Sequence, residues 1–79
     1  MNNYYFTFGC DPIFPFEGGW AKVKANTKEE AIEKFDSHYP RINKNIINCA
    51  FIYTEEQFKR TRMYEKQDNG GRSCHKIID

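Results

Sequence analysis

Apolar and polar positions alternate along two segments near the start of the chain. Residues 4–8 carry large apolar rings at every second position, a period of two that predicts a β-strand. Residues 20–25 alternate in the same way and predict a second, half-exposed strand. These two strands are expected to form a hairpin, and its connection, residues 9–19, is unusually long.

The clearest helical pattern follows over residues 28–38. Thr27 and Glu30 match a capping box, in which the threonine hydroxyl caps the first turn and the glutamate reaches back. Apolar residues then recur at helical spacing, and Pro40 ends the run. We therefore expect one long amphipathic helix that packs on one side of the sheet.

The next segment combines an apolar run with a second helix start. Residues 46–53 are almost continuously apolar, which is typical of a central strand that is covered on both faces. Residues 54–57 repeat the capping-box pattern, and Tyr53 and Phe58 occupy the two positions of a hydrophobic staple. The pattern predicts a short helix over residues 55–62.

The chain closes with a turn and a last strand. Asn69, Gly70 and Gly71 predict the turn, and residues 74–78 predict the strand. The element order β-β-α-β-α-β indicates an α+β fold in one compact domain, residues 1–79, with an antiparallel or mixed sheet. The expected core consists mainly of rings and isoleucines: Tyr4, Phe6, Phe8, Ala31, Ile32, Phe35, Ile47, Phe51, Phe58 and Ile77.

Composition limits what such a fold can hold. At 79 residues the chain is too short for a second domain or for a large enzyme scaffold such as a barrel. Only 39% of the residues are hydrophobic but 16% are aromatic, with eight Ile, one Val and no Leu. The core must therefore be built from large rings, which bury much area per residue, and general disorder is excluded.

Charge and targeting signals restrict the partners. Twelve basic and eleven acidic residues give a net charge of +1, which excludes a strongly acidic nucleic-acid mimic and a histone-like polycation. The first residues lack the basic and apolar regions of a signal peptide, and no apolar run approaches the roughly 20 residues of a membrane helix. We therefore expect no membrane partner. Three widely spaced cysteines, an odd number, favour a cytoplasmic protein with reduced thiols.

Metal-ligating and nucleophilic side chains show no local arrangement that would support chemistry. The candidate ligands lack the short spacings that pre-position zinc ligands: Cys10, His38, Cys49, Cys74 and His75. Burial in the apolar run is expected to raise the pKa of the Cys49 thiol and leave it inert. We predict no cofactor, no metal and no enzymatic activity, with a small thiol or zinc-binding protein kept as an alternative.

A basic segment near the second helix gives one candidate contact surface. Lys59, Arg60 and Arg62 lie close in sequence to Tyr64, and Arg72 follows. Cations beside an aromatic ring are suited to neutralising phosphates and stacking a base, which favours contact with nucleic acid or a nucleotide. Two alternatives remain open: a solvated helix end, where cations complement the dipole, and salt bridges to an acidic protein.

The long hairpin connection gives the other candidate surface. It carries the apolar residues Ile13, Phe14 and Phe16, which Pro12 and Pro15 make rigid, and Trp20 follows it. Rigid exposed aromatic side chains serve as anchors in protein interfaces, so Phe14, Phe16 and Trp20 are candidate partner-binding residues. The alternative is that Phe14 and Phe16 fold back to supplement a core that is short of aliphatic side chains.

Several segments together resemble a group of short uncharacterised proteins carried by phages and integrative elements of AT-rich Gram-positive bacteria. These segments are residues 5–9, 30–35, 39–40, 48–53 and 74–78. The resemblance implies an accessory protein of a phage or mobile element, and some proteins of that kind are anti-CRISPR or other anti-defence inhibitors. It implies no particular functional residue.

Together these features predict a non-enzymatic binding protein that docks on a host protein and inhibits a defence system, in the manner of an anti-CRISPR. Phe14 and Phe16 would anchor the contact, and Lys59, Arg60 and Arg62 would supply charge complementarity. The host protein could be a nucleic-acid-processing enzyme, and the chain could act as a monomer or homodimer. The first alternative is a nucleic-acid or nucleotide-binding protein that uses the basic-aromatic segment.

Overall fold

The computed structural model describes residues 1–9, 11–41, 43–62 and 74–79. The first two strands, β1 (Asn2–Thr7) and β2 (Trp20–Ala25), pair antiparallel with Phe6 opposite Ala21. This confirms the predicted hairpin and its long connection. The pairing places the rings of β1 at the centre of the sheet, where neighbours cover them on every side.

Two further strands complete a mixed four-stranded sheet in the order β3-β1-β2-β4. Strand β3 (Phe51–Thr54) pairs antiparallel with β1, and β4 (Cys74–Ile78) runs parallel to β2. The prediction of a central strand over residues 46–53 is wrong, because β3 is a four-residue edge strand. Residues 43–50 instead form a turn and bends that pack Ile47 and Cys49 against the core.

Helix α1 (Lys28–His38) begins where the capping pattern predicts it. The Thr27 hydroxyl accepts the backbone N–H of Glu30 at 3.1 Å, and the carboxylate of Glu30 lies 3.5 Å from Lys34 Nζ. Ala31 and Phe35 are fully buried against the sheet. The helix has eleven residues, about three turns, so a long amphipathic helix is not confirmed.

Helix α2 (Glu55–Phe58) is shorter than predicted but has the complete capping box. The Thr54 hydroxyl accepts the N–H of Gln57 at 3.2 Å, and Gln57 Oε1 accepts the N–H of Thr54 at 3.0 Å. The predicted staple is also present, since the rings of Tyr53 and Phe58 lie 6.2 Å apart. Lys59 N–H makes the last helical hydrogen bond, to the Glu55 carbonyl, and turn hydrogen bonds follow, with Thr61 N–H bonded to the Phe58 carbonyl.

The two helices cover opposite faces of the sheet, because neighbouring residues of β1 point to opposite sides. On the α1 side, Phe6 stacks on Phe35 with ring centroids 4.3 Å apart. On the other side, Phe58 stacks on Tyr5 at 4.0 Å and meets Trp20 at 4.9 Å. The predicted core is therefore divided into two clusters separated by the sheet.

Two residues assigned to the core by their pattern are not in it. Phe51 is 54% exposed and Ile77 is 59% exposed. Both lie on the edge strands of the described sheet, β3 and β4, which have a paired strand on one side and none of the described strands on the other. The predicted turn at residues 69–71 lies outside the described part of the chain.

Candidate functional site

The long hairpin loop is closed at its base by backbone hydrogen bonds. Phe8 N–H donates to the Gly19 carbonyl at 3.1 Å, and Gly18 N–H donates to the Gly9 carbonyl at 2.6 Å. Gly18 and Gly19 have φ angles of 76° and 74°, which residues with a Cβ rarely adopt. The glycine pair therefore allows the chain to re-enter β2 directly from the loop.

The tip of the loop is held by a local turn. The Asp11 carboxylate accepts the N–H of Ile13 at 3.1 Å, and the Asp11 carbonyl accepts the N–H of Phe14 at 3.2 Å. Asparagine and aspartate side chains stabilise such turns by bonding to the backbone two residues on. Ile13 is thereby presented at the tip with 51% of its surface exposed, while Phe14 packs partly against the core.

Phe16 turns inward and joins an aromatic group. Its ring meets Phe8 edge-on at 5.3 Å and Tyr39 edge-on at 5.9 Å. The His75 ring stacks on Phe16 at 4.1 Å, and His75 Nε2 lies 2.8 Å from the Gly18 carbonyl oxygen. These contacts occupy the ring of Phe16 and connect β4 to the loop, so Phe16 supports the loop from beneath.

A second segment, the 43–46 turn, lies opposite the loop tip. Ile46 N–H donates to the Asn43 carbonyl at 3.0 Å, and Asn45 N–H donates to the Asn43 side-chain oxygen at 3.1 Å. The turn leaves Ile46 with 49% of its surface exposed. An isoleucine that a tight turn keeps half in water is a candidate contact residue.

Ion pairing and side-chain hydrogen bonds fasten this turn to the end of α1. Arg41 Nε lies 2.9 Å from Asp36 Oδ2, and Arg41 Nη1 donates to the Lys44 carbonyl at 3.3 Å. Asn48 Nδ2 donates to the Pro40 carbonyl at 3.4 Å. The turn is thus held in place before any partner binds.

The loop tip and the turn enclose an apolar notch of about 220 Å³ lined by Ile13, Phe14, Asn43, Ile46 and Asn48. Phe14 and the two isoleucines supply its apolar surface, and the two asparagines supply polar groups beside it. Such a notch can receive one large apolar side chain of a partner. We take it as the candidate functional site.

The predicted basic residues lie elsewhere, at the end of α2. Lys59, Arg60 and Arg62 are all exposed, and Arg60 Nη2 lies 3.9 Å from the exposed carboxylate of Glu56. Tyr64 and Arg72, the other residues of that predicted surface, lie outside the described residues. The notch and these three cations do not form one site.

Trp20 is a correction to the predicted contact residues. Only 2% of its surface is exposed, because Phe58 covers it on the face opposite α1. Lys22 and Lys24 lie on the same face of β2 as Trp20, and these polar residues are the reason that the sequence predicts a half-exposed strand. The tryptophan therefore belongs to the core and offers no ring to a partner.

Burial sets the pKa of the Cys49 thiol, which lies in the core. Cys49 is 9% exposed, and burial raises its pKa to about 12, helped by the nearby Asp36 carboxylate and opposed by Arg41. This confirms the expected direction, and the thiol stays protonated at neutral pH. Burial also raises the pKa of the neighbouring Tyr39 hydroxyl.

The described residues contain neither a cluster of metal ligands nor a helix that could span a membrane. Within residues 1–9, 11–41, 43–62 and 74–79, no three His, Cys, Asp or Glu side chains converge on a common point. Neither described helix has the length and apolar character needed to cross a membrane. The predicted alternative zinc ligand Cys10 lies outside the described residues.

Sequence reasoning identified one side of the notch and missed the other. The long loop with its prolines pointed to Phe14, but it gave no reason to prefer Ile13 as the exposed side chain. Ile46 was assigned to a buried strand, and only Asn43 and Asn45 around it carried a turn signal.

Comparison of the chain with known protein families, with curated proteins and with solved structures finds no match. The functional interpretation therefore depends on the geometry of the notch and its surroundings.

Proposed function

We propose that this protein is a non-enzymatic binding protein that docks on a host protein through the apolar notch. The observation that carries the proposal is the exposure of Ile13 and Ile46, 51% and 49%, on two segments that are each fixed by hydrogen bonds. Apolar side chains on fixed loops lose little entropy on binding, which favours their use as anchors. Phe14 forms the base on which a partner side chain would rest.

Inhibition of a host defence system is the setting that we propose for this contact. The resemblance to accessory proteins of phages and mobile elements supports it, and the net charge of +1 argues against mimicry of a nucleic-acid duplex. An inhibitor of this kind would block a nucleic-acid-processing enzyme sterically or hold it in an inactive conformation. We place this activity in the cytoplasm, as expected for a protein with reduced thiols.

The proposal is tested by affinity capture from host lysate with and without nuclease treatment. Ile13→Asp places a charge in the notch, whereas Ile77→Asp places the same charge at a similarly exposed isoleucine on β4, and serves as the matched control. We expect one protein to be captured by the wild type and by Ile77→Asp, to be lost with Ile13→Asp, and to survive nuclease. Capture that is unaffected by Ile13→Asp would overturn the notch as the contact surface.

A second candidate function is binding to nucleic acid by the cations at the end of α2. The observation that favours it is the exposure of Lys59, Arg60 and Arg62, of which only Arg60 pairs with an acidic group among the described residues. Phosphate binding by such residues should weaken steeply with salt. Binding to a single-stranded oligonucleotide that loses about tenfold or more between low and moderate salt, and that is abolished when all three become alanine, would support it.

A further inference from the structure

The outer edge of β3 has backbone groups that are directed away from the sheet. Phe8 N–H bonds to Gly19 on the β2 side, so the alternation of β1 directs the backbone groups of Thr7 and Tyr5 toward β3. Their opposite residues, Phe51 and Tyr53, therefore face β1. Ile52 lies between those two, and its N–H and C=O point outward.

Ile52 is the residue of β3 that can extend the sheet. The next outward N–H, that of Thr54, is already taken by Gln57 Oε1 in the capping box at 3.0 Å. Among the described residues, the outward N–H and C=O of Ile52 have no hydrogen-bond partner. A strand edge with such groups is a template for pairing with another extended chain.

Apolar side chains lie on both faces of this edge, with Lys28 and Asn45 beside them on the face of α1. On the face of α2, Phe51 is 54% exposed and lies against Tyr53, with ring centroids 4.5 Å apart. On the face of α1, an open groove of about 380 Å³ is lined in part by Ile46, Ile47 and Ile52. None of the four residues of β3 is charged, so the strand lacks the charged side chains that commonly protect such edges.

We propose that β3 pairs antiparallel with β3 of a second copy of this chain, about a two-fold axis at Ile52. In this register Ile52 of each copy exchanges both backbone hydrogen bonds with the other. Phe51 of each copy then lies beside Tyr53 of the other. Ala50 lies opposite Thr54, but the Ala50 N–H bonds to the Thr7 carbonyl at 2.7 Å and the Thr54 N–H to Gln57, so Ile52 carries the new backbone hydrogen bonds. Each exposed Phe51 ring is therefore covered by the Tyr53 ring of the other copy, and this happens twice because the pairing is two-fold symmetric. No two like charges lie opposite each other in this register.

The length of β3 limits the strength of this association. Four residues a side form an interface below the roughly 1,200 Å² of a typical stable complex. The pairing is therefore a concentration-dependent equilibrium between monomer and dimer. Ile46 lines both the notch and the groove beside β3, but Ile13 is not part of the paired strands, so Ile13→Asp tests the notch contact without changing the paired residues.

Sedimentation of the full chain tests the proposal. We expect the average mass to rise from 9.4 kDa toward twice that value as the concentration increases from about 10 µM to about 1 mM. Phe51→Lys, at a position that is more than half exposed, should weaken association at least about tenfold. Ile77→Lys, the matched change on the other edge strand, should leave it unchanged.

Amide hydrogen exchange of the wild-type protein gives a second measurement that needs no variant. We expect the Ile52 amide to exchange more slowly as the concentration rises, while amides at the β4 edge do not change. A chain that stays monomeric at 1 mM overturns the proposal, as does a dimer that survives Phe51→Lys or is lost with Ile77→Lys. Binding of an oligonucleotide to Phe51 of a monomeric chain would also overturn it.

Discussion

His75 stacks on Phe16 with ring planes 5° apart, and this contact joins the last strand to the long hairpin loop. Its Nε2 lies 2.8 Å from the Gly18 carbonyl oxygen, and because a carbonyl oxygen can only accept, Nε2 carries the proton in this contact. The last residues of the chain thus support a loop that begins more than fifty residues earlier, at Gly9. The position of Ile13 at the rim of the notch depends on this support.

Replacing His75 should loosen the loop without unfolding the protein. We expect His75→Ala to cost about 1 kcal/mol of stability, through the lost hydrogen bond and stacking at an exposed side chain. Amide exchange at Gly18, whose N–H bonds to Gly9, should become faster. Lys76→Ala is the control on the same strand, and an equal change in that variant would show that the His75 contact has no specific effect.

Removing Arg41 should destabilise the turn that carries Ile46. Asp36 Oδ1 is buried with no hydrogen-bond partner in the described residues. The ion pair of Arg41 with Oδ2 therefore offsets the cost of burying the Asp36 charge. We expect Arg41→Ala to cost about 1–3 kcal/mol in urea unfolding, because a half-buried charge loses its partner. Arg60→Ala breaks a looser and exposed pair at 3.9 Å and should change stability by less than about 0.5 kcal/mol. Equal effects would contradict this account of the turn.

Phe58 belongs to the second core cluster, whereas Phe51 lies on the edge strand β3. Phe58 is fully buried and stacks on Tyr5, so Phe58→Ala should cost about 3–5 kcal/mol. Phe51→Ala removes a ring that is more than half exposed, and should cost less than about 1 kcal/mol in dilute protein. Urea unfolding of the two variants checks this, and similar losses would mean that the edge ring is part of the core.

The raised pKa of Cys49 predicts a loss of stability at alkaline pH. The thiol titrates near pH 8.5 in the unfolded chain but at about 12 in the folded protein. Between these values the unfolded state binds fewer protons than the folded state, so the free energy of unfolding falls as the pH rises. Below about pH 8.5 the thiol is protonated in both states, and its full contribution to the free energy of unfolding is present.

Comparison with Cys49→Ala isolates this effect from other groups that ionise at high pH. The stability difference between the wild type and Cys49→Ala should narrow between pH 8 and pH 10.5, as measured by urea unfolding. A difference in stability that stays constant over this range would show that the Cys49 thiol has the same pKa in the folded and the unfolded chain.

Local pattern was sufficient for much of this fold. The hairpin, the start of α1 at Thr27 and the capping box at Thr54 all depend on residues within a few positions of each other, and each was predicted from the sequence. The position of β3 was not, because strand order depends on pairing between distant segments. The apolar run before β3 could be a buried strand or a turn that covers the core, and its pattern is the same in both cases.

The candidate site was predicted in part for the same reason. The loop prolines marked Phe14, but which of the loop side chains turns inward depends on His75 and Tyr39, which meet Phe16 only in the folded chain. Trp20 was taken for a contact residue because Phe58, which buries it, lies far along the sequence. Ile46 gained its exposure from the turn that Arg41 fastens to α1.

The most direct test of the central claim is the affinity of the captured host protein for three purified forms of this chain, measured by titration calorimetry. We expect Ile13→Asp to weaken binding by about thirtyfold or more, as for a buried anchor that is lost, and Ile77→Asp to bind like the wild type. Equal affinities of all three forms would contradict the notch as the site of protein contact.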